Sequence, residues 1–156
     1  MRLRCLWIGG TKNPDWARLE AEYTQRILRF VPITVASVHE ARKVDPRKRA
    51  GQMNLEARLL EKKIPLRCFL VTLDEKGEEF TSEGFAGYLE NLMNRGVSEI
   101  VFLGGGHSGM PEQLVDRADL CLSLSKLTLP HELARVVLLE QIYRSFSIIR
   151  GLPYHR

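Results

Sequence analysis

Residues 121–156 read CLSLSKLTLPHELARVVLLEQIYRSFSIIRGLPYHR. The stretch divides into a short apolar strand, a tight loop, a helix predicted over Glu132 to Arg150, and a tail. Plotted at 100° per residue, the helix shows apolar side chains on nearly every side. Leu139, Ile142, Phe146 and Ile149 make one stripe, Leu133, Val137 and Ile148 another, and Val136 and Tyr143 lie close to a third. A helix that is hydrophobic all round has no face to give to water, so it belongs at the centre of the fold or in a subunit interface. Glu140 and Arg144 interrupt it one turn apart, a spacing at which they pair. The pair is either a structural ion pair or part of a cleft where chemistry occurs. Behind the helix, Pro153-Tyr154-His155-Arg156 brings together an aromatic ring, an imidazole and a guanidinium.

Working back from this helix, the chain alternates. Leu3 to Ile8 reads as a strand stopped by Gly9-Gly10. Asn13-Pro14 is a helix cap followed by a proline at the first helical position, and Trp16, Leu19, Tyr23, Ile27 and Phe30 follow at helical spacing until Pro32. Ile33 to Val38 is a second strand. Asp45-Pro46 repeats the cap signal before Met53, Ala57 and Leu60. Leu66 to Leu73 is almost continuously apolar, as in a strand covered on both faces of a parallel sheet. Ser82 opens a third helix (Phe85, Leu89, Leu92, Met93), with Gly96 at its left-handed cap. Ile100 to Leu103 is a fourth strand, a short helix follows Pro111, and Leu120 to Leu124 is the fifth strand. Strict alternation predicts an α/β fold with a mostly parallel sheet in one domain, residues 1–156.

Composition narrows the function. An apolar fraction of 44% is enough for a core without disulfides or metal. The chain has no run of 18 apolar residues and no signal-peptide pattern, so we expect a cytoplasmic protein with no membrane partner. Cys5, Cys68 and Cys121 lie in apolar runs and read as buried thiols. His39, His107, His131 and His155 show no metal-ligand spacing, so no metal is expected. The net charge of +4 is concentrated in Arg42, Lys43, Arg47, Lys48 and Arg49. Such a cluster is either a solvated face or a nucleic-acid contact.

In an open α/β sheet, ligands bind beyond the carboxyl ends of the strands. Three ends carry chemistry here: Thr72-Leu73-Asp74, the glycine run Gly104-Gly105-Gly106-His107-Ser108-Gly109, and Leu124 to Leu129. Glycines let the backbone approach a ligand, the Ser125–Leu129 loop offers N–H and C=O groups, and Leu127 and Leu129 are apolar walls. Together they describe a pocket for a flat group such as a purine. Gly104, Gly106 and Gly109 also fit G-x-G-x-x-G, but the motif sits on the fourth strand and Leu129 stands where an acidic residue belongs, which argues against a nicotinamide cofactor.

On these residues the chain resembles the RlmH family, small SPOUT-class methyltransferases that modify a pseudouridine of bacterial 23S rRNA. The likeness runs from the first strand through Pro14-Asp15-Trp16 to the last residue. Its specific parts are Thr72-Leu73-Asp74, Gly105 to Gly109, Leu122 to His131, and Arg150-Gly151 with Pro153 to Arg156. The resemblance implies an S-adenosyl-L-methionine-dependent homodimer, a five- to six-stranded sheet, and a C-terminal segment threaded into a trefoil knot. It implies that Leu73, Gly105, Leu124, Ser125, Lys126, Leu127, Thr128 and Leu129 hold the cofactor. Gly104 stands where the family often has a larger apolar residue. The implied substrate is N3 of a pseudouridine in 23S rRNA. With 156 residues leaving no room for a separate RNA-binding domain, we expect substrate choice to depend on the assembled ribosome and both subunits of the dimer. For that reaction His155 is the candidate base, Arg144 or Arg156 stabilises negative charge, Tyr154 orients or stacks on the target base, and Glu140 holds Arg144. Two other readings compete: a knotted methyltransferase acting on ribose or on tRNA, and a non-catalytic RNA-binding dimer. An all-round apolar helix packed against the knot and its twin would make the dimer obligate.

Overall fold

A computed structural model describes residues 1–39, 49–106 and 108–155, without the side chains of Arg49, Ala50, Gln52 and His155. The basic side chains of Arg42, Lys43, Arg47, Lys48 and Arg49, the Asp45-Pro46 cap signal, His107, the imidazole of His155 and Arg156 therefore lie outside what is described. The elements run β1 (Arg2–Ile8), α1 (Pro14–Ile27), β2 (Ile33–Val38), α2 (Arg49–Glu61), β3 (Phe69–Glu79), α3 (Ser82–Asn94), β4 (Glu99–Gly104), α4 (Glu112–Asp116), β5 (Leu120–Ser123) and α5 (His131–Ile149), then a single 3₁₀ turn over Pro153–His155. The five strands form one sheet in the order β2-β1-β4-β3-β5, and every pairing is parallel.

Local chemistry sets the ends of these elements. Asn13 caps α1, its side chain accepting from the N–H groups of Asp15 and Trp16 with Pro14 at the first position. Thr81, one residue before the expected start, caps α3 by accepting from Gly84 N–H at 3.0 Å. Gly96 follows α3 with φ 76°. α1 ends at Ile27, so Phe30 belongs to the turn beyond it, where its ring lies 6.0 Å from that of Phe146.

The largest departure from expectation is β3. It starts at Phe69 rather than Leu66, because the Pro65-Leu66-Arg67 segment turns outward and leaves Leu66 fully exposed. It also continues past Leu73. Leu73 and Glu78 both align with Leu122 of β5, so Asp74 to Gly77 loop out of the ladder before Glu78 and Glu79 rejoin it. Asp74 Oδ1 closes this excursion by accepting from Lys76 N–H at 2.8 Å. At Gly77 a Cβ would lie 2.5 Å from the carbonyl oxygen of Cys121, so only glycine lets the strand return. The cysteines also differ: Cys5 is buried, whereas Cys68 and Cys121 are half-buried, since Cys68 precedes β3 and Cys121 sits on the edge strand β5. Burial pushes the Cys5 thiol well above its usual range.

Two cores flank the sheet. One contains Trp7, Phe102, Leu138, Leu139, Ile142 and Phe146, and the other Leu6, Ile8, Leu60, Val101, Leu103 and Leu114. α5 lies on the first face, packed against α1 and α3. Every one of its residues from His131 to Ile149 is buried or half-buried within a single copy. Leu138, Leu139 and Ile142 are wholly buried, at about 1.5–3 kcal/mol each relative to exposure. Leu133, Val137 and Ile148 remain half-buried.

The amino-terminal turns of α5 are tied to the far end of the chain. Glu132 accepts from the N–H groups of Lys12 and Asn13 at 2.9 and 3.1 Å. Arg135, 1% exposed, donates to the Ile8 carbonyl at 2.7 Å and to Thr11 Oγ at 3.0 Å. Thr11 donates in turn to Glu20. β1 and β4 are the neighbours at which the strand order reverses, the usual ligand crevice of such sheets. Here charged side chains of α5 bond to the loop after β1, and the open cleft lies to one side, over β4, β3 and β5.

Candidate active site

A cleft of about 240 Å³ opens over the carboxyl ends of β3, β4 and β5. β3 contributes Leu73, Asp74 and Glu75 from the point where the chain leaves the sheet. The β4 end contributes the glycine loop. Gly106 and Gly109 face each other across a bridge, with Gly109 N–H donating to the Gly106 carbonyl at 3.1 Å and Gly109 at φ 87°. This hairpin folds back so tightly that a Cβ on Gly105 would lie 2.8 Å from the Gly109 carbonyl carbon. The third wall is the bend after β5. Ser125 Oγ accepts from Leu127 N–H at 2.9 Å and Ser123 Oγ donates to the Ser125 carbonyl at 3.2 Å, so the bend is held by its own hydroxyls.

Seven of the eight residues expected to hold a ligand line this cleft: Leu73, Gly105, Leu124, Ser125, Leu127, Thr128 and Leu129. Lys126 does not. Its side chain is 86% exposed, with Nζ 3.8 Å from Glu79, beyond the point where β3 rejoins β5. Leu127 is 75% exposed at the mouth. Sequence reasoning missed Glu75, Met110, His131 and Ala134, which complete the lining. His131 and Ala134 begin a helix read for its apolar face alone, and Pro130-His131 directly after the bend was the available signal.

Three of the four residues expected to be catalytic also meet, but elsewhere. Arg144 donates to Glu140 Oε1 through Nε at 3.0 Å and Nη2 at 2.6 Å. Tyr154 OH donates to the same oxygen at 3.3 Å and lies 3.4 Å from Tyr23 OH. Its ring stands edge-on to Tyr143 at 4.6 Å, with the Arg144 guanidinium carbon 5.0 Å from its centre. Burial, the Tyr23 hydroxyl and the nearby Glu140 carboxylate push the Tyr154 phenol well above its usual range, so it remains protonated. The hydrogen bonds from Arg144 to Glu140 raise the Arg144 guanidinium further.

None of Glu140, Arg144 and Tyr154 lines the cleft. Glu140 and Arg144 stand six and ten residues beyond Ala134, about 9–15 Å along the helix axis. One copy thus presents a cleft near one end of α5 and a Tyr–Glu–Arg cluster towards the other. Among the described residues there is no group of three His, Cys, Asp or Glu side chains placed to hold a metal ion, and no helix long and apolar enough to cross a membrane.

Comparison with known proteins bears on this geometry. A family model described as predicted SPOUT methyltransferase matches residues 1–155. The chain is 40% identical over 156 residues to a ribosomal RNA large subunit methyltransferase H of Geobacter metallireducens, covering 99% of both chains. It is 41% identical to the protein of that name from Geobacter sp. strain M21, again over 99% of each. The protein of that name from Ruminiclostridium cellulolyticum is 38% identical over the whole of both chains. With a strand-end cleft, an all-parallel sheet and matches along its whole length, the chain belongs to the SPOUT methyltransferases, among those of the RlmH type.

Proposed function

We propose that the protein transfers a methyl group from S-adenosyl-L-methionine to N3 of a pseudouridine in 23S rRNA of the assembled large ribosomal subunit, in the cytoplasm. The reading rests on one observation above all: Leu73, Gly105 and the Leu124–Leu129 bend, far apart in sequence, line a single cleft. The lining suits the cofactor. Leu73, Leu127 and Leu129 offer apolar surfaces to the faces of an adenine, and the backbone of the serine-threonine bend offers donors and acceptors to its edge. Asp74 and Glu75 set carboxylates at the rim, beside a ligand that carries a sulfonium and an ammonium. We assign the C-terminal segment, including this bend, to the trefoil knot.

The separation between cleft and tail along α5 supports a homodimer. In a two-fold pair whose α5 helices run antiparallel, the Glu140–Arg144–Tyr154 cluster of one copy approaches the cleft of the other. The half-buried Leu133, Val137 and Ile148 supply an apolar seam for that contact.

When bound, S-adenosylmethionine supplies a methyl carbon activated by positive sulfur. The protein has to position the target base and take its N3 proton. His155 accepts that proton, since an imidazole near neutrality suits a weakly acidic imide. Tyr154, held protonated, serves as a donor or a stacking surface and not as the base. Arg144, fixed by two hydrogen bonds to Glu140, faces the negative charge that the base acquires on losing its proton.

Two variants test the reading. His155→Ala and Tyr154→Phe should bind S-adenosylmethionine like wild type by calorimetry, while methylation of ribosomes, read by mass spectrometry of 23S rRNA, falls by about 10²–10⁴ for the histidine variant. Wild-type turnover in both removes the tail from the mechanism. A methyl group found on ribose or on tRNA replaces the substrate, and wild-type protein that binds no cofactor ends the reading.

A further inference from the structure

Glu132 and Arg135 are charged residues in the first turn of a largely apolar helix, and neither lines the cleft. Both are buried, at 8% and 1% exposure. Burying a charge carries a desolvation cost that its hydrogen bonds have to offset, so such residues often add no more stability than well-packed apolar side chains of similar volume. Stability is therefore a poor account of their presence, and direction is a better one. Glu132 accepts from two backbone N–H groups of the loop after β1, and Arg135 donates to the Ile8 carbonyl at the end of β1 and to the Thr11 hydroxyl of that loop. Four bonds from these two residues fix both the height and the rotation of α5 over that loop.

The same bonds reach the cleft from two sides. His131 and Ala134, which line it, each immediately precede one of these two residues. The Arg135 guanidinium carbon also lies 5.7 Å from the centre of the Trp7 ring. Trp7 in turn packs on Gly104 at the cleft floor, where a Cβ would come within 2.6 Å of the indole. A shift of Arg135 therefore moves a wall and the floor together.

We propose that Glu132 and Arg135 are positioning residues for the cofactor site, setting the gap between the start of α5 and the glycine loop and hence the affinity for S-adenosylmethionine. The inference rests on the cleft being the cofactor site. Full-length Glu132→Gln, Arg135→Met, Arg135→Lys and the milder Thr11→Val are compared by calorimetry with S-adenosylmethionine and with S-adenosylhomocysteine. Leu60→Ala, in the core on the opposite face of the sheet, serves as a control for lost stability alone. Glu132→Gln and Arg135→Met should weaken binding about tenfold or more, Thr11→Val by a few-fold, and Arg135→Lys should recover part of the loss. In turnover KM for the cofactor should rise while kcat at saturation stays near wild type. Leu60→Ala should lower Tm and leave Kd within about twofold. Wild-type affinity in Thr11→Val and in whichever of the two stronger variants folds overturns the proposal. So does a Leu60→Ala protein that loses affinity in step with Arg135→Met at equal Tm. If wild type binds neither ligand, the cofactor reading fails first and this proposal with it.

Discussion

Trp7 and Gly104 stand directly opposite each other on neighbouring parallel strands, and the indole occupies the space a side chain at 104 would need. The bulk at that point of the sheet is supplied from β1. Gly104→Ala should therefore destabilise the protein by about 1–3 kcal/mol through overpacking. Adding Trp7→Phe should recover part of that loss. Urea unfolding of both single variants and the double variant measures the coupling, and strictly additive effects would contradict the contact.

Leu127 tests the mouth of the cleft. At 75% exposure it contributes little to folding, so Leu127→Asp should leave Tm within about 1–2 °C of wild type. It should weaken S-adenosylmethionine binding by about tenfold or more, through lost apolar cover. Calorimetry beside a thermal melt separates the two effects.

Two defective proteins should rescue one another. In a dimer whose sites combine the cleft of one copy with the tail of the other, a heterodimer of Leu127→Asp and His155→Ala has one doubly defective site and one intact site. Mixing the two variants under conditions that exchange subunits should restore methylation that neither shows alone. If both parts of the site come from one copy, mixing restores nothing.

The cluster at the start of α5 gives a pH signature. Burial opposes ionisation of Glu132, but the N–H donors of Lys12 and Asn13, with His131 and Arg135, outweigh it and hold its carboxyl below the usual range. A carboxylate depressed on folding contributes stability above its ordinary value of about 4.3 and loses it as pH falls through the lower folded value. Wild type should thus exceed Glu132→Gln in Tm at neutral pH, and the gap should close in acid. Melts of both proteins from about pH 7 down to about pH 3 would show it.

Much of this was legible in the sequence, for physical reasons that can be named. Asn13-Pro14 and Gly96 act on backbone within three residues of themselves, and the parallel sheet announced itself through apolar runs alternating with amphipathic helices. The bend from Leu124 to Leu129 was readable because its chemistry is local. What escaped depends on partners distant in the chain. Leu66 belongs to an apolar run, yet Pro65 and the turn at Arg67 send it outward. The return of β3 at Glu78 and Glu79 looks like a polar loop until β5 is placed beside it. Arg135 is a charge within greasy residues, and its partners Ile8 and Thr11 are more than 120 positions away. Lys126 was assigned to the cleft with its neighbours because spacing along a bend does not say which side chains point inward.

The position of α5 also constrains how the molecule is made. The helix that covers Trp7, Phe102 and Leu122 leaves the translating ribosome after all five strands, long after β1, which its first turns grip. A chain halted before His131 has its five strands with α1 and α3, but lacks the helix packed between them and so leaves part of that apolar side of the sheet uncovered. Such fragments are prone to aggregate, so biosynthesis of this enzyme is hazardous until α5 has emerged.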